Sequence, residues 1–506
     1  MLKANIISNY LSQIYIAGIG ILLLPLYVHY MGAESYGLVG FFSLLQSWFN
    51  ILDLGLTPTI SRETARYKSG ATSEIDYKKF LNLLSYLFIS VALIGGGILF
   101  SLSNDIALYW LKPTELTIPE VVFSVQVMSI SVALRWLSGL YRGIITGHEK
   151  LVILSSINAV IATFRFVIVF GVMWVYGFTP KVFFQYQLII VFIELIVLIF
   201  YSNTLTPKDI KSGRITLKYI KSVSPLLKFS LTIAFTSSIW ILVTQTDKFV
   251  LSGILSLKDY GYFTIAVLVA NGIMIINTPI STAIMPRLAN LYAKNKVSEA
   301  IEIYKLATRL VCILVGSFAI TIIFFPDLVI YAWSGDIQLT LKASPILRLY
   351  IIGNIMLVIS AFPYYIQYAQ GNLKYHLIGN IGMAILFIPL VIFASLHFGG
   401  IGSGYVWIFV NIIFLFLWVP YVHRKVSPGV HRDWFLNDIL SIISLPIIIS
   451  ITLYFYLPRL NQFPSEYGRL YALFTITIIS LINLLFSLLI SKYKNTFKIV
   501  KKNEQN

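Results

Sequence analysis

Long apolar runs recur along the whole chain and are separated by short polar segments. A bilayer core is crossed by roughly 20 apolar residues in an α-helix, and this length divides the chain into fourteen predicted spans. They fall near 6–28, 38–57, 81–103, 121–141, 152–176, 182–203, 229–252, 261–284, 306–326, 346–368, 377–396, 403–422, 437–457 and 470–490. The pattern therefore predicts an all-α polytopic membrane protein with about 14 transmembrane helices.

The composition excludes several classes of protein. Hydrophobic residues make up 58% of the chain and charged residues 12%, against about 25% charged in soluble domains, which excludes a soluble enzyme and a disordered chain. The single cysteine, Cys312, allows neither an intramolecular disulfide nor a cysteine zinc site. The sequence also lacks the phosphate-loop and H-E-x-x-H motifs, so we predict no catalytic residues and no metal.

Lysine and arginine are distributed unevenly between alternate loops. Of the 38 such residues, 28 fall on one side of the predicted topology, seven on the other and three within spans. Cytoplasmic loops carry the excess of basic residues, so both termini are predicted to be cytoplasmic. Because these residues would face anionic lipid headgroups, the net charge of +17 does not indicate nucleic acid as a partner.

Short motifs recur at an offset of about 224 residues. The matches are Tyr36-Gly37 with Tyr260-Gly261, Arg62 and Tyr67 with Arg287 and Tyr292, and Gly147 and Lys150 with Gly371 and Lys374. Six spans per copy is an even number, so both copies enter the membrane from the same side. The sequence thus predicts two parallel six-helix bundles related by an axis along the membrane normal.

The repeat divides the chain into five predicted parts. These are a first six-helix bundle (1–203), a linker (204–228), a second six-helix bundle (229–422), two additional spans (423–490) and a basic cytoplasmic tail (491–506). In the linker, Ile215, Tyr219 and Val223 share one helical face. That spacing favours a basic amphipathic helix on the inner membrane surface, although a plain solvated linker also fits.

Two segments resemble a known family. The run YMGAESYGLVGFFSLLQSWFNILDLGLTPTISRETARYKSG (30–70) is similar to the first hairpin, and TQTDKFVLSGILSLKDYGYFTIA (244–266) to the seventh-span segment, of polysaccharide flippases. These flippases belong to the multidrug/oligosaccharidyl-lipid/polysaccharide exporter superfamily. The two final spans favour the flippase branch over the twelve-helix drug exporters.

The resemblance implies a transporter rather than an enzyme. Its expected substrate is an undecaprenyl-pyrophosphate-linked oligosaccharide, moved from the inner to the outer leaflet of a bacterial cytoplasmic membrane. The product would supply O-antigen, capsule or exopolysaccharide. Membrane lipids, and a polysaccharide polymerase with its chain-length regulator, are the expected partners.

Arg165 is the leading candidate for binding a pyrophosphate. It lies thirteen residues into the fifth span, where an arginine costs about 3 kcal/mol or more unless it meets water or a partner. Asn158 lies seven residues earlier, on the same face of a regular α-helix. This small polar face predicts a hydrated lumen, although a buried structural pair would also explain it.

Two further cations are candidate substrate ligands. Arg135 lies in the fourth span, but it is close enough to the inner end for its side chain to reach the interface instead. Lys248 follows Asp247 in the seventh span and resembles the acid–base pair of the family. A local salt bridge is the alternative reading of that pair.

Three acids are candidates for coupling or gating. Glu194, in the middle of the sixth span, is expected either to pair with Arg165 or to take up a proton or sodium ion. Asp247 is the second candidate for cation coupling. Asp53, at the inner end of the second span, is expected to cap or anchor that helix end, with a gating role as the alternative.

Three other functions remain open at this stage. A drug or cation antiporter with the same helix plan should carry acidic rather than basic residues in its lumen. A membrane-embedded polysaccharide polymerase or ligase should carry a large outer loop, which this sequence lacks. A scaffold for envelope enzymes would not need charge in the middle of a span.

We predict that cysteine labelling will place the loops 59–80, 204–228 and 285–305 in the cytoplasm, and 104–120 and 327–345 outside. The linker gives the strictest test of the predicted orientation, because it carries six of the positive charges assigned to the inner side. Labelling of a cysteine at Ser212 from outside would overturn the orientation.

Overall fold

The computed structural model describes residues 2–53, 55–207, 235, 238–457 and 465–504, which are almost entirely helical, with no strand among them. The main helices are α1 (Leu2–Leu52), α2 (Leu56–Lys68), α3 (Glu74–Ser101), α4 (Ile118–Gly147), α5 (Leu151–Tyr176), α6 (Pro180–Leu205), α7 (238–254), α8 (Leu257–Ala293), α9 (Val297–Phe324), α10 (Pro326–Ser334), α11 (Ile337–Ser360), α12 (Phe362–Ala369), α13 (Lys374–Val426), α14 (Val430–Tyr456) and α15 (Ser465–Glu504). The all-α prediction is confirmed.

Eleven helices in the described ranges are long and apolar enough to cross a membrane. Two of these are bent at glycines with positive φ, α1 at Gly32 (φ 84°) and α13 at Gly399 (φ 59°). Each bend falls between two predicted spans, and glycine takes this conformation because it has no Cβ. The seventh predicted span (229–252) lies partly outside the described residues, and the count of fourteen stays a prediction.

The chain divides into two compact units, Met1–Gly261 and Tyr262–Asn506. This division comes later in the chain than the predicted start of the second bundle at 229. Helix α7 belongs to the first unit, in which Ser252 accepts a hydrogen bond from the indole of Trp110 (2.9 Å). Residues 208–228 of the predicted linker, including its amphipathic helix, lie outside the described residues.

Helix α4 is the centre of the first unit and packs against α2, α3 and α6. Small residues allow this close approach, as they do in other membrane helix pairs. A Cβ built on Gly143 would lie 3.0 Å from the side chain of Ile60, and one built on Gly147 would lie 2.4 Å from the carbonyl oxygen of Ser61. The glycines thus bring α2 against the C-terminal half of α4.

The two Tyr-Gly motifs of the repeat meet within the first unit. A Cβ on Gly37 would lie 2.2 Å from the carbonyl oxygen of Leu257, and a Cβ on Gly261 would lie 2.1 Å from that of Ala33. Residues next to both Tyr-Gly motifs also bind the loop before α4. Buried Glu34 accepts the backbone N–H groups of 114, 115 (2.5 Å) and 116 (3.1 Å), and Lys258 pairs with Glu115 at 2.6 Å.

Turns in the two units recur at the offset that the sequence repeat predicts. Gly70 (φ 77°) ends the turn after α2, and Asn295 (φ 57°) ends the corresponding turn after α8. Their N–H groups donate to Tyr67 and Tyr292, respectively, which are matched residues of the repeat. Gly177 (φ 100°) between α5 and α6 likewise corresponds to Gly399.

The last two long helices pack onto α9 and α10 in the second unit. Charged pairs join α9 to α14, since Arg309 binds Asp438 at 2.8 Å and Lys305 binds Asp433. In the same unit, Tyr331 packs against Ala472 of α15 and is only 7% exposed. Its aromatic ring is therefore part of the packed interior.

We predict that replacing Gly37 with alanine will destabilise the protein. The new methyl group would meet backbone atoms of Leu257 that cannot rotate away, and overpacking of this kind costs about 1–3 kcal/mol. Thermal unfolding of the detergent-purified protein measures the effect. Gly20→Ala is the matched control, because no atom lies within 4 Å of a Cβ built there. Equal unfolding temperatures for the two variants would contradict the close contact.

Candidate functional site

A cavity of about 510 Å³ lies inside the first unit, between α1, α2, α4 and α6. It is lined by Gln46, Phe49, Asn50, Asp53, Thr57, Pro58, Val132, Arg135, Trp136, Gly139, Arg142 and Glu194. Three of the predicted site residues, Arg135, Glu194 and Asp53, are brought together here although they are far apart in the sequence.

Two arginines of α4 face this cavity. Arg135 and Arg142 are seven residues apart, which is about two helical turns, so their side chains project from one face. The Nη1 of Arg135 donates to the amide oxygen of Gln46, a neutral partner. Arg142 donates from Nη1 to the Oδ1 of Asn158 (2.7 Å) and from Nη2 to Glu194.

Two buried polar atoms at the cavity have no hydrogen-bond partner among the described residues. They are the Oε2 of Glu194 and the indole N–H of Trp136. Glu194 is 3% exposed, and only its Oε1 is bound, by Arg142. Buried polar groups are normally hydrogen-bonded, so these two atoms mark places where a ligand or water would be stabilised.

Asp53 holds the beginning of α2. Its carboxylate accepts the Thr57 hydroxyl at 2.7 Å and the Thr57 N–H at 3.2 Å. A carboxylate is favourable there, because the N-terminal N–H groups of a helix carry partial positive charge. These contacts lie at the beginning of α2, whereas the sequence placed the expected capping role at the end of the second span.

The charges of the cavity are unequally compensated. Glu194 forms an ion pair with Arg142 and the helix start offsets Asp53. Arg135 is attracted by Glu194 without forming an ion pair with it, and its hydrogen bond goes to a neutral amide. Guanidinium groups bind phosphate and carboxylate oxygens through paired N–H donors. The cavity is therefore suited to an anion with several oxygens.

Arg165 does not line the cavity. Its Nε donates to the Oε1 of Gln187 (2.9 Å), and the amide of Gln187 donates back to the carbonyl of Arg165 (2.9 Å). The predicted alternative of an Arg165–Glu194 pair is wrong, since Glu194 binds Arg142.

Arg165 also lies in a π-helical segment, Phe164–Ile168, where the helix has a wider turn than the α-helix that the sequence spacing assumed. Asn158, predicted to share a face with Arg165, instead supports Arg142.

Lys248 and Asp247 form a local pair elsewhere in the first unit. Lys248 Nζ lies 3.1 Å from Asp247 Oδ1 and donates to the Thr244 carbonyl at 2.6 Å. This is the local salt bridge that the sequence left open. Neither residue lines the cavity.

Sequence reasoning missed Arg142 because it was assigned to an inner loop. The signal that could have found it is its seven-residue spacing from Arg135, which places both on one face of the same helix. Gln46 was also missed, since an uncharged amide in an apolar run gives no strong signal. As for metals, the searched part of the chain contains no group of three or more His, Cys, Asp or Glu side chains that could hold one.

A family model described as "Polysaccharide biosynthesis protein" matches residues 2–292. In addition, a protein of Shigella flexneri that carries the name of an O-antigen transporter is 21% identical over 380 residues, which are 74% of this chain and 87% of that protein. The region matched by the family model includes all the residues that line the cavity.

Solved structures share the fold. A structure titled as the lipid II flippase MurJ in an inward closed conformation matches with a TM-score of 0.72 at 17% identity, covering 98% of this chain and 99% of that one. An inward-facing multidrug resistance MATE family transporter of the MOP superfamily matches with a TM-score of 0.64 at 15% identity, covering 82% and 94%. At these identities, the likeness concerns the fold alone.

We predict that Arg142→Ala will lower the free energy of unfolding more than Arg135→Ala. Removing Arg142 leaves Glu194 buried without its partner, whereas removing Arg135 leaves a neutral amide. We expect a loss of about 2 kcal/mol, below the values typical of fully buried pairs because part of Arg142 is exposed.

Unfolding of the purified variants in detergent measures this difference. The double variant Arg142→Ala/Glu194→Gln should recover much of the loss, because no unpaired charge is left. The pairing would be contradicted if the double variant lost as much unfolding free energy as the two single variants together.

Proposed function

The chain belongs to the polysaccharide biosynthesis protein family, and from this membership we propose that it is a flippase for undecaprenyl-pyrophosphate-linked oligosaccharides. The proposed movement is from the inner to the outer leaflet of the bacterial cytoplasmic membrane. The product would be used in assembling O-antigen, capsule or exopolysaccharide. The observation that supports this substrate class is that Arg135 and Arg142 face one cavity in the first unit.

A pyrophosphate group explains why a flippase would need these arginines. The group carries about two negative charges and cannot cross hydrocarbon without compensation, because an isolated ion in a low-dielectric medium is very costly. Arg135 and Arg142 together offer paired donors for its oxygens. Asn158 supports the orientation of Arg142 through their 2.7 Å hydrogen bond.

We propose that transport proceeds by alternating access. The prenyl chain stays in the lipid while the charged head passes the cavity that Arg135 and Arg142 line, and the two parallel repeats change their relative orientation as described for transporters with internal repeats. Both termini lie in the cytoplasm in this proposal. A polysaccharide polymerase and its chain-length regulator would receive the product.

Coupling to a proton or sodium gradient is a further part of the proposal. Glu194 is the better candidate, because its Oε2 has no partner among the described residues, whereas Asp247 is paired with Lys248. Glu194→Gln should weaken the dependence of flipping on the ion gradient, measured in proteoliposomes, while Asp247→Asn should change it less. Full gradient dependence in both variants would place coupling elsewhere.

A drug or cation antiporter of the same superfamily is the second candidate, since drug transporters share the fold. A cavity for cations should present unpaired acids, but here Glu194 is bound to Arg142 and Asp53 to the start of α2. A polymerase or ligase is less well supported, because the similar proteins carry the names of transporters and flippases.

We predict that Arg142→Ala and Arg135→Ala will each sharply reduce surface glycan. The test strain lacks the native gene, so that the variant is its source of this protein. Arg165→Ala should reduce it less, because Arg165 contacts Gln187 outside the cavity. Arg135→Lys should recover only part of the activity, since lysine keeps the charge but loses the fork of donors.

The predicted order of the variants is tested by measuring surface polysaccharide and accumulated lipid-linked intermediate. Each variant is compared at the same level of protein in the membrane. Normal glycan in the Arg135→Ala/Arg142→Ala double variant would refute the proposed site. Unchanged glycan in the deletion strain, together with loss of resistance to cationic drugs, would favour the antiporter.

A further inference from the structure

We propose that Glu194 competes with the substrate's pyrophosphate for Arg142, so that the cavity binds the anion tightly only when Glu194 is neutral. This inference rests on the proposed function and specifies how the same site is regulated. Its basis is the different bonding of the two arginines of α4. Arg142 is held by an acid of the protein itself, whereas Arg135 is held by an amide.

The bond between Glu194 and Arg142 is suited to exchange. A carboxylate can accept several hydrogen bonds, but Glu194 uses one oxygen only, and the other is buried without a partner among the described residues. The single bond to Arg142 therefore compensates the carboxylate of Glu194 incompletely, although Glu194 is only 3% exposed. A pyrophosphate would offer Arg142 more anionic oxygens than Glu194 does.

The charge state of Glu194 decides whether that exchange is favourable. If the pyrophosphate takes Arg142 while Glu194 is ionised, a buried carboxylate loses its partner and faces another anion, which is strongly unfavourable. If Glu194 has first taken up a proton, the exchange leaves no unpaired charge. By linkage, anion binding then favours protonation of Glu194, and deprotonation favours release of the anion to the same extent.

The other charged groups around Glu194 have hydrogen-bond partners of their own. Arg135 lies on the same face of α4 and attracts Glu194 electrostatically, but it donates its hydrogen bond to Gln46. Asp53 lines the same cavity, but its carboxylate is held by Thr57. On α5, Arg165 is bound to Gln187 of α6. Release of Glu194 from Arg142 is thus the exchange that the geometry permits.

Binding of inorganic pyrophosphate to the purified full-length protein in detergent tests the inference at constant ionic strength. Glu194→Gln should tighten the Kd about tenfold near neutral pH, the size expected for one released charge-assisted hydrogen bond. Asp53→Asn is the matched control, because it removes the same charge from the same cavity without releasing an arginine. Its effect should be several times smaller.

A double-mutant cycle separates release of Arg142 from a general change in charge. In an Arg142→Ala background, Glu194→Gln should change the Kd far less than it does in the wild-type protein. An equal change in both backgrounds would overturn the competition.

The outcomes distinguish this inference from the proposed function. If the wild-type protein binds pyrophosphate and Arg142→Ala weakens binding, but Glu194→Gln does not tighten it, only the competition fails. If neither the wild-type protein nor Glu194→Gln binds pyrophosphate, and neither binds the lipid-linked form, the proposed substrate class fails with it.

Discussion

The cost of placing a charge among apolar helices is the constraint on which the first unit depends. An arginine within a membrane-spanning helix is unfavourable unless it meets water or a partner, and Arg142, near the C-terminal end of α4, satisfies this requirement through Asn158 and Glu194. These partners come from α5 and α6, so the compensation of one cation joins three helices. The same cation faces the cavity, so the proposed binding of an anion and the stability of the first unit depend on the same side chains.

Close packing makes that arrangement possible. Small residues let α2 and α4 approach within contact of each other's backbones, and the start of α2 is fixed by Asp53. Such contacts replace the hydrophobic driving force, which is weak between helices that are already in lipid. Asp53 therefore contributes to the shape of the cavity wall as well as to its charge.

The internal repeat supplies a common helix plan, but the chemistry of its copies has diverged. At an offset of 224 residues, the positions of Arg135, Arg142 and Glu194 are occupied by Ile359, Ile366 and Trp418. The second unit has neutral buried polar contacts, such as the indole of Trp407 donating to Asn354 at 2.9 Å. A duplicated scaffold can thus keep its turns, which backbone geometry fixes, while its side chains acquire different roles.

The sequence by itself determined the helical class, the approximate span positions and the repeat, because apolar runs of membrane length and glycine-containing turns are local features of the chain. It also identified Arg135, Glu194 and Asp53, since charge within an apolar run is conspicuous. Only the tertiary structure decided the pairing. Arg142 binds Glu194, and Arg165 binds Gln187, because these contacts depend on which helices pack together and cannot be read from spacing along one helix.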